Sequence, residues 1–353
     1  MRELKLMKGN EAIAEAAIRA GVDGYFGYPI TPQSEIMEYL MSEDAYSRSG
    51  MVVLQAESEL AAINMVYGAA STGKKVMTSS SSPGISLMQE GISYIAGAEL
   101  PCLIVNVVRG GPGLGTIQPS QADYFQSVKG GGHGDYRLVV YAPSSVQEMA
   151  DHVPLGFEVA FKYRIPVLIL SDGVIGQMME KVELFETTPR QPVTADWALV
   201  GKTPDREKRT ITSLDLEAIE MEKHNHELQA KYREVEKNEV RYETIHCDDA
   251  EYIIVAYGSS ARICQKAVDM AREKGIKVGL FRPITLWPFP TKEINALSKN
   301  VKGMLTVEMS AGQMVEDVKL AVECKIPVTH FGRYGGVIHS PIEVLQALEK
   351  FIS

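Results

Sequence analysis

MVVLQAESELAAINMVYGAASTGK, residues 51–74, divides into two halves that obey different periods. MVVLQA is an apolar run of strand length and predicts a buried strand of about six residues. ESELAAINMVYGAASTGK then carries apolar residues at helical spacing, with Ala61, Ala62, Ala69 and Ala70 small enough for close packing. Two carboxylates, Glu57 and Glu59, stand where strand becomes helix. A carboxylate there is well placed for chemistry. It equally suits a plain helix start, where acidic side chains meet free backbone N–H groups and the positive end of the dipole. Position alone leaves both readings open.

Working outward, the same alternation extends from Asn10 to about Gly173: NEAIAEAAIRAG, GYFGY, TPQSEIMEYL, KVMTSS, PGISLMQEGISYIAGA, LPCLIVNVVR, RLVVYAP, SSVQEMADHVPLGFEVAFKY and PVLILSDG. Helix-period and strand-like segments in turn imply crossover units, hence an α/β fold with a largely parallel sheet covered by helices on both faces. A first domain is expected over 1–186. Residues 187–249 change character, from TTPRQPVTADWALVGKTPDREKRT to a charged, helix-prone ELQAKYREVEKNEVRYE, and read as a linker with a solvated helix. Alternation resumes over 250–353 in EYIIVAYG, ARICQKAVDMAREKG, KVGLFRP, GMLTVEM, MVEDVKLAVE, PVTHFG and PIEVLQALEKF. This predicts a smaller α/β domain of four or five strands.

The 353 residues suffice for two cores. A formal net charge of −9 argues against general nucleic-acid binding, which needs a basic face to displace counterions. No run approaches the roughly 20 apolar residues that span a bilayer, and the N-terminus lacks the apolar core of a secretion signal. Cys102, Cys247, Cys264 and Cys324 are scattered without CxxC spacing, so neither an iron–sulfur cluster nor a structural zinc is signalled on this chain. Reduced thiols in a cytoplasm are the expectation.

Ligands of open parallel sheets bind beyond the carboxyl ends of strands, which directs attention to three loops. GYPITPQSE (27–35) offers Thr31-Pro32 as an N-cap with proline at the first helical position, and leaves Tyr28, Pro29 and Ile30 at a strand exit on a pocket rim. SSSSPGIS (79–86) presents hydroxyls and free N–H groups at a helix start, for capping or anion contact. RGGPGLGTIQPSQAD (109–123) begins with Arg109 at the end of the very apolar LPCLIVNVV, so a guanidinium emerges where a central strand stops; a salt bridge or a ligand contact would each account for it. GGPGLG is not GxGxxG, and no GxxxxGK[ST] occurs. His133, in GGGHGD (130–135), is as compatible with a surface role as with a site.

YPITP, QAESELAAINMVYGAA, SSSSPGISLM and RGGPGLGT together resemble the alpha subunit of 2-oxoacid:ferredoxin oxidoreductases. The resemblance covers nearly the full chain, including FRPITLWPFP in the C-terminal part, and is closest to members acting on 3-methyl-2-oxobutanoate. It implies a pyrimidine-binding half of a thiamine diphosphate site in the first domain and a transketolase C-terminal-like second domain. Thiamine enzymes place their essential glutamate nine residues before a glycine that packs the following helix, which selects Glu59, with Gly68, over Glu57. A carboxyl group on the aminopyrimidine favours the tautomer that removes the thiazolium proton. The resemblance further implies substrate contacts from Thr31 and Arg109, the latter to the 2-oxoacid carboxylate. Cofactor contacts follow from Tyr28, Pro29, Ile30, Glu59, Ser82, Pro83 and Gly84.

The paired GDG and Asn-Asn that hold diphosphate and Mg2+ in such enzymes are missing, Ser171-Asp172-Gly173 being only a partial echo. No metal ligand is therefore expected here. The implied partners are a thiamine-diphosphate-binding beta subunit, gamma and ferredoxin-like delta subunits with iron–sulfur clusters, ferredoxin and coenzyme A. A 2-oxoglutarate-specific alpha subunit, the beta subunit of a lipoamide-linked thiamine dehydrogenase, and a noncatalytic α/β assembly subunit stand as the alternatives.

Overall fold

The computed structural model describes residues 3–193, 195–202 and 207–353. The chain runs through β1 (Glu3–Lys8), α1 (Gly9–Arg19), β2 (Gly24–Gly27), α2 (Ser34–Ser42), α3 (Ala45–Ser49), β3 (Val52–Gln55), α4 (Glu59–Ala70), β4 (Val76–Ser80) and α5 (Ser82–Gly97). It continues with β5 (Cys102–Val108), α6 (Tyr124–Val128), β6 (Val139–Tyr141), α7 (Val146–Tyr163), β7 (Pro166–Asp172), α8 (Gly173–Gln177) and β8 (Met179–Leu184). Then follow α9 (Ala218–Asn238), β9 (Tyr242–Ile245), β10 (Tyr252–Val255), α10 (Gly258–Glu273), β11 (Val278–Pro283) and β12 (Thr285–Trp287). The last elements are α11 (Thr291–Ser298), β13 (Gly303–Glu308), α12 (Met314–Ala321), β14 (Val328–Gly332) and α13 (Pro341–Ile352).

Among the described residues the strands form three sheets. The largest has seven strands in the order β12-β6-β7-β5-β4-β2-β3, a second has five in the order β14-β13-β10-β11-β9, and β1 pairs with β8 alone. Strands β2 to β7 run parallel, as the crossover pattern predicts, and β12 closes one edge antiparallel to β6. β12 is contributed by the C-terminal part of the chain, so the first sheet is not built from the first half alone. In the second sheet β10, β11, β13 and β14 are parallel, with β9 antiparallel on the far edge.

Central strands are predominantly apolar because both faces are covered: every residue of β5 (CLIVNVV) and β7 (PVLILSD) is buried. The expectation of a buried strand at MVVLQA is corrected. β3 is a four-residue edge strand paired only with β2, with Val52 46% and Leu54 40% exposed. An edge strand with one paired flank can have the same composition as a central one, which is why the apolar run read as interior. The strand ends three residues before α4, whose N-cap is Ser58, its Oγ accepting from Ala61 N at 3.2 Å.

Thr31 is not a helix cap. α2 begins at Ser34, and Thr31-Pro32, joined by a cis peptide bond, belong to the preceding loop. Their carbonyls serve as acceptors: Thr31 O for Arg109 Nη1 (3.0 Å), and Pro32 O for Asn10 Nδ2 (2.7 Å) and Gln177 Nε2 (3.0 Å). Ser81 occupies the N-cap position of α5 without a side-chain capping bond, so the capping expected of that serine run is not made by it. β1, β8, β9 and β12 are strands that the hydrophobic pattern did not signal.

Candidate functional site

The carboxyl ends of β2, β4 and β5 and the N-termini of α4 and α5 converge on one place. Glu59 is the first residue of α4 and only 6% exposed, whereas Glu57, two residues earlier, is exposed. The junction therefore separates the two carboxylates by burial. Glu59 lies against Gly84 of α5: a Cβ built at Gly84 would stand 2.6 Å from Glu59 Oε1, 2.8 Å from its Cγ and 2.1 Å from Ser80 Oγ. Only a residue without a side chain lets the carboxyl group occupy that space. Two turns along, Gly91 gives α4 the same access, with Ile63 Cγ2 2.6 Å from its would-be Cβ.

These two glycines of α5, and not Gly68, allow the close approach of the helices. Gly68 is exposed, and a Cβ there would meet nothing within 4 Å. The expectation that Gly68 packs a following helix does not hold within this chain.

Around Glu59 the polar atoms are unevenly satisfied. Thr78 Oγ1, Ser80 Oγ and Ser81 Oγ are buried without a hydrogen-bond partner in this chain. Buried polar groups ordinarily find partners, so such a cluster marks a place where water or a ligand completes the bonding. On the opposite face of β4, Ser79 donates to Gln33 Oε1 (2.6 Å) and shares a 2.7 Å hydrogen bond with Tyr25 OH, while Gln33 Nε2 donates to Tyr28 O (3.1 Å). This buried network ties the Tyr28–Pro29–Ile30 strand exit, half-buried on the rim, to the sheet.

Ser82, first residue of α5, is joined to Arg109 at the end of β5: Arg109 N donates to Ser82 Oγ (3.1 Å), which in turn donates to Arg109 O (3.3 Å). Arg109 is 8% exposed, and no carboxylate pairs with it among the described residues. Two carbonyls hold its guanidinium, Thr31 O to Nη1 and Leu114 O to Nη2, both at 3.0 Å, and its Nε is buried without a partner. A salt bridge does not account for it; a fixed cation with N–H groups to spare does suit an anionic ligand. Thr31 meets Arg109 through its backbone, and its side chain is exposed.

Asn106 and Asp123 are a pair that sequence reading missed. Asn106 Nδ2, on β5, donates to Asp123 Oδ2 at 2.8 Å, and Asn106 Oδ1 is buried without a partner. Burial raises the Asp123 carboxyl above its ordinary range, against the lowering effect of hydrogen bonds from Asn106 and Ser82. Nothing in the spacing of QPSQAD marks the aspartate; the polar Asn106 inside an otherwise apolar strand was the available signal.

Asp172, in the partial echo of a diphosphate motif, caps α8. Its Oδ1 accepts from Val174 N (2.8 Å) and Ile175 N (3.3 Å), and its Oδ2 from Ser259 Oγ (2.6 Å). His133 is exposed and lines a cavity of about 600 Å3 between α5, the 133–136 loop and α9, whose walls include neither Glu59 nor Arg109. The cavity beside His133 and the chemically equipped site are thus different places. No helix among the described residues is long and apolar enough to cross a membrane.

Residues 15–257 match the family described as pyruvate flavodoxin/ferredoxin oxidoreductase, thiamine diP-bdg, and residues 250–344 match pyruvate:ferredoxin oxidoreductase core domain II. The ketoisovalerate oxidoreductase subunit VorB of Methanothermobacter marburgensis is 51% identical over 346 residues, covering 98% of this chain and 97% of that protein. A solved 2-oxoglutarate:ferredoxin oxidoreductase from Magnetococcus marinus, with 2-oxoglutarate, coenzyme A and succinyl-CoA bound, superposes with a TM-score of 0.88 at 25% identity. The match covers all of this chain, which spans 66% of that one. A split-gene transketolase, 14% identical with a TM-score of 0.60 over 98% of this chain and 97% of the other, shares the fold. With both family regions present in order, the thiamine-diphosphate-binding one spanning Glu59 and Arg109, the chain belongs to the 2-oxoacid:ferredoxin oxidoreductase family as an oxidoreductase subunit.

Proposed function

We propose that this chain supplies the carboxylate-bearing half of a shared thiamine diphosphate site in a cytoplasmic, multisubunit enzyme. The enzyme oxidatively decarboxylates 3-methyl-2-oxobutanoate to an acyl-CoA and CO2 and reduces ferredoxin. The observation that carries this reading is the burial of Glu59 against Gly84, two residues along α5 from the Ser82–Arg109 contact. The Glu59 carboxyl group, seated in the space a side chain at Gly84 would fill, and the unpartnered hydroxyls of Ser80 and Ser81 fit the pyrimidine end of the cofactor. When bound, thiamine diphosphate supplies the carbon nucleophile and electron sink that a 2-oxoacid needs to lose CO2.

The chain's own residues act around it. Glu59 holds and shares a proton at the pyrimidine nitrogen, and its burial keeps water from competing for that contact. Tyr28, Pro29 and Ile30 form the rim against the ring, and Ser82, Pro83 and Gly84 present the start of α5 to it. Arg109 receives the substrate carboxylate with the N–H groups that the Thr31 and Leu114 carbonyls leave free, and Thr31 lies beside that contact.

A partner completes the site. Val52, Leu54, Leu60, Met65 and Leu87 leave an apolar surface on β3, α4 and α5 around Glu59, suited to a beta subunit that brings the diphosphate and Mg2+ contacts. Gamma and ferredoxin-like delta subunits with iron–sulfur clusters, together with coenzyme A and ferredoxin, supply the remaining steps. We assign 1–186 as the pyrimidine-binding domain, which Thr285–Trp287 joins as an edge strand, 187–249 as the linker, whose last strand Tyr242–Ile245 is taken into the second sheet, and 250–353 as the second domain.

A 2-oxoglutarate reading draws on the solved structural relative. The loop after Arg109, GGPGLGTIQPSQA, contains no lysine or arginine to meet a second carboxylate, which favours the apolar acid. The test is coenzyme-A-dependent ferredoxin reduction by the reconstituted complex with each acid. Faster turnover of 3-methyl-2-oxobutanoate is expected, and a preference for 2-oxoglutarate would overturn the substrate assignment.

A further inference from the structure

In an open parallel sheet the crevice for a ligand opens where strand order reverses. In the second sheet that point lies between β10 and β13, which chain connections leave in opposite directions. No small molecule is needed to fill it, because a side chain from the other half of the protein already does. Gln121, 2% exposed, enters between the loops that follow these strands. Its Nε2 donates to Tyr257 O (2.9 Å), and its Oε1 accepts from Ser260 Oγ (2.6 Å) and Met309 N (3.0 Å). Its backbone is gripped as well: Gln121 N donates to Met309 O (2.9 Å), and Gln121 O accepts from Tyr257 OH (3.1 Å). Every polar atom of the residue is thus spent on the second sheet's loops.

What this grip controls lies just upstream. Residues 109–119 form a closed loop: Arg109 bridges to Pro119, Gly110 N donates to Gln118 O (2.8 Å), and Thr116 N donates to Gly110 O (2.8 Å). One foot of the loop is the end of β5; the other is fixed two residues later by Gln121. A second contact presses on the same loop from the second sheet's side. Gly336, at φ +99°, packs so closely that a Cβ there would stand 2.6 Å from Gln118 Cβ, and a Cβ on Gly110 would stand 2.8 Å from Gly336 N. The Leu114 carbonyl that orients Arg109 Nη2 rides on this loop.

We propose that Gln121 is a positioning residue for Arg109: the second domain uses its switch-point crevice as a clamp on the 109–121 loop and so sets the guanidinium for the substrate carboxylate. This rests on the reading that Arg109 receives that carboxylate. It gives the second domain a part in substrate recognition although it contributes no group to the cofactor.

The test is made in the assembled enzyme with Gln121→Met, Tyr257→Phe and, in parallel, Arg109→Ala. KM and kcat for the 2-oxoacid are measured alongside hydrogen–deuterium exchange at C2 of the bound cofactor, a step in which the substrate carboxylate takes no part. Gln121→Met is expected to raise KM by about 10-fold and Tyr257→Phe by about 5-fold, as loss of hydrogen bonds at one remove from the cation would. C2 exchange stays within about twofold of the parent, a split that general destabilisation would not produce. An unchanged KM in Gln121→Met, or an equal fall in C2 exchange, overturns the clamp. If Gln121→Met does not assemble, Tyr257→Phe, which loses one hydroxyl, decides on the same criteria. A KM insensitive to Arg109→Ala overturns the carboxylate reading itself; a KM sensitive to Arg109→Ala but not to the clamp variants overturns the clamp alone.

Discussion

A single methyl group tests whether Glu59 acts from the position in which it is found. In Gly84→Ala the new Cβ would lie 2.6 Å from Glu59 Oε1 and 2.1 Å from Ser80 Oγ, where real contacts need about 3.4 Å or more. Something must give by roughly an ångström, and the carboxyl group, at the end of a side chain with several rotatable bonds, gives most easily. Overpacking of this kind costs about 1–3 kcal/mol, whereas misplacing a reacting group by an ångström costs on the order of 10²-fold in rate. The expected signature is therefore a slight loss of thermal stability with a disproportionate loss of chemistry. Exchange at C2 of thiamine diphosphate, measured in the assembled enzyme at saturating cofactor, reads the chemistry; a melting scan reads the stability. Exchange at the parent rate in a variant of lowered Tm would refute the argument, because the glycine would then serve packing alone. Gly68→Ala provides the contrast. With open space around it inside a helix, it should stabilise the isolated chain by about 0.5–1 kcal/mol, seen as a raised Tm.

The two junction carboxylates should part company: Glu59→Gln lowers turnover by about 10²–10⁴-fold and slows C2 exchange, while exposed Glu57→Gln leaves exchange intact, the reverse pattern moving the assignment to Glu57. Arg109→Ala should lower kcat/KM for every 2-oxoacid by about 10- to 150-fold, the equivalent of one charged hydrogen bond, and unchanged kinetics with a lower Tm would make it a loop strut. The isolated chain should bind thiamine diphosphate with Mg2+ weakly in a calorimetric titration, and tight binding would refute the half-site reading. Acid should loosen the fold through His152, on α7 with its ring beside Tyr141, whose burial holds its pKa down to about 4 with Arg282 and Arg241 adding to the effect and Glu148 opposing it. The unfolded chain binds this proton first, so stability present above about pH 6.5 is lost as pH falls toward 4, by up to ~3 kcal/mol, and His152→Leu should flatten that part of the urea-unfolding profile.

The central architecture was legible because burial on both faces leaves a mark on composition: β5 and β7 are predominantly apolar, buried from end to end, and lie in the middle of the sheet. The edge was not, since β3 has the same kind of side chains with one flank open. β1 and β8, and the three-residue β12, owe their strand character to a neighbour far along the chain, and so short a segment has no period of its own. At the site, burial distinguishes Glu59 from Glu57, and the emergence of Arg109 at a strand end was readable from the apolar run before it. Thr31 was misread because Thr-Pro signals a helix start by local chemistry, while here distant donors, Arg109, Asn10 and Gln177, claim the carbonyls. Gln121 had no signal: its importance lies in a crevice made by residues more than a hundred positions away.

The antiparallel strand Thr285–Trp287 on the edge of the first sheet has a consequence for how the molecule can be dissected. A fragment cut near residue 249 would keep Glu59 yet uncover the outer edge of β6, a row of apolar residues with unpaired amides, and should self-associate. The missing piece is short, but it sits inside the other lobe, between β11 and α11, and cannot be supplied without it. Co-expressed as two polypeptides, the halves should instead find each other through that strand, so that solubility of the first lobe depends on the presence of the second.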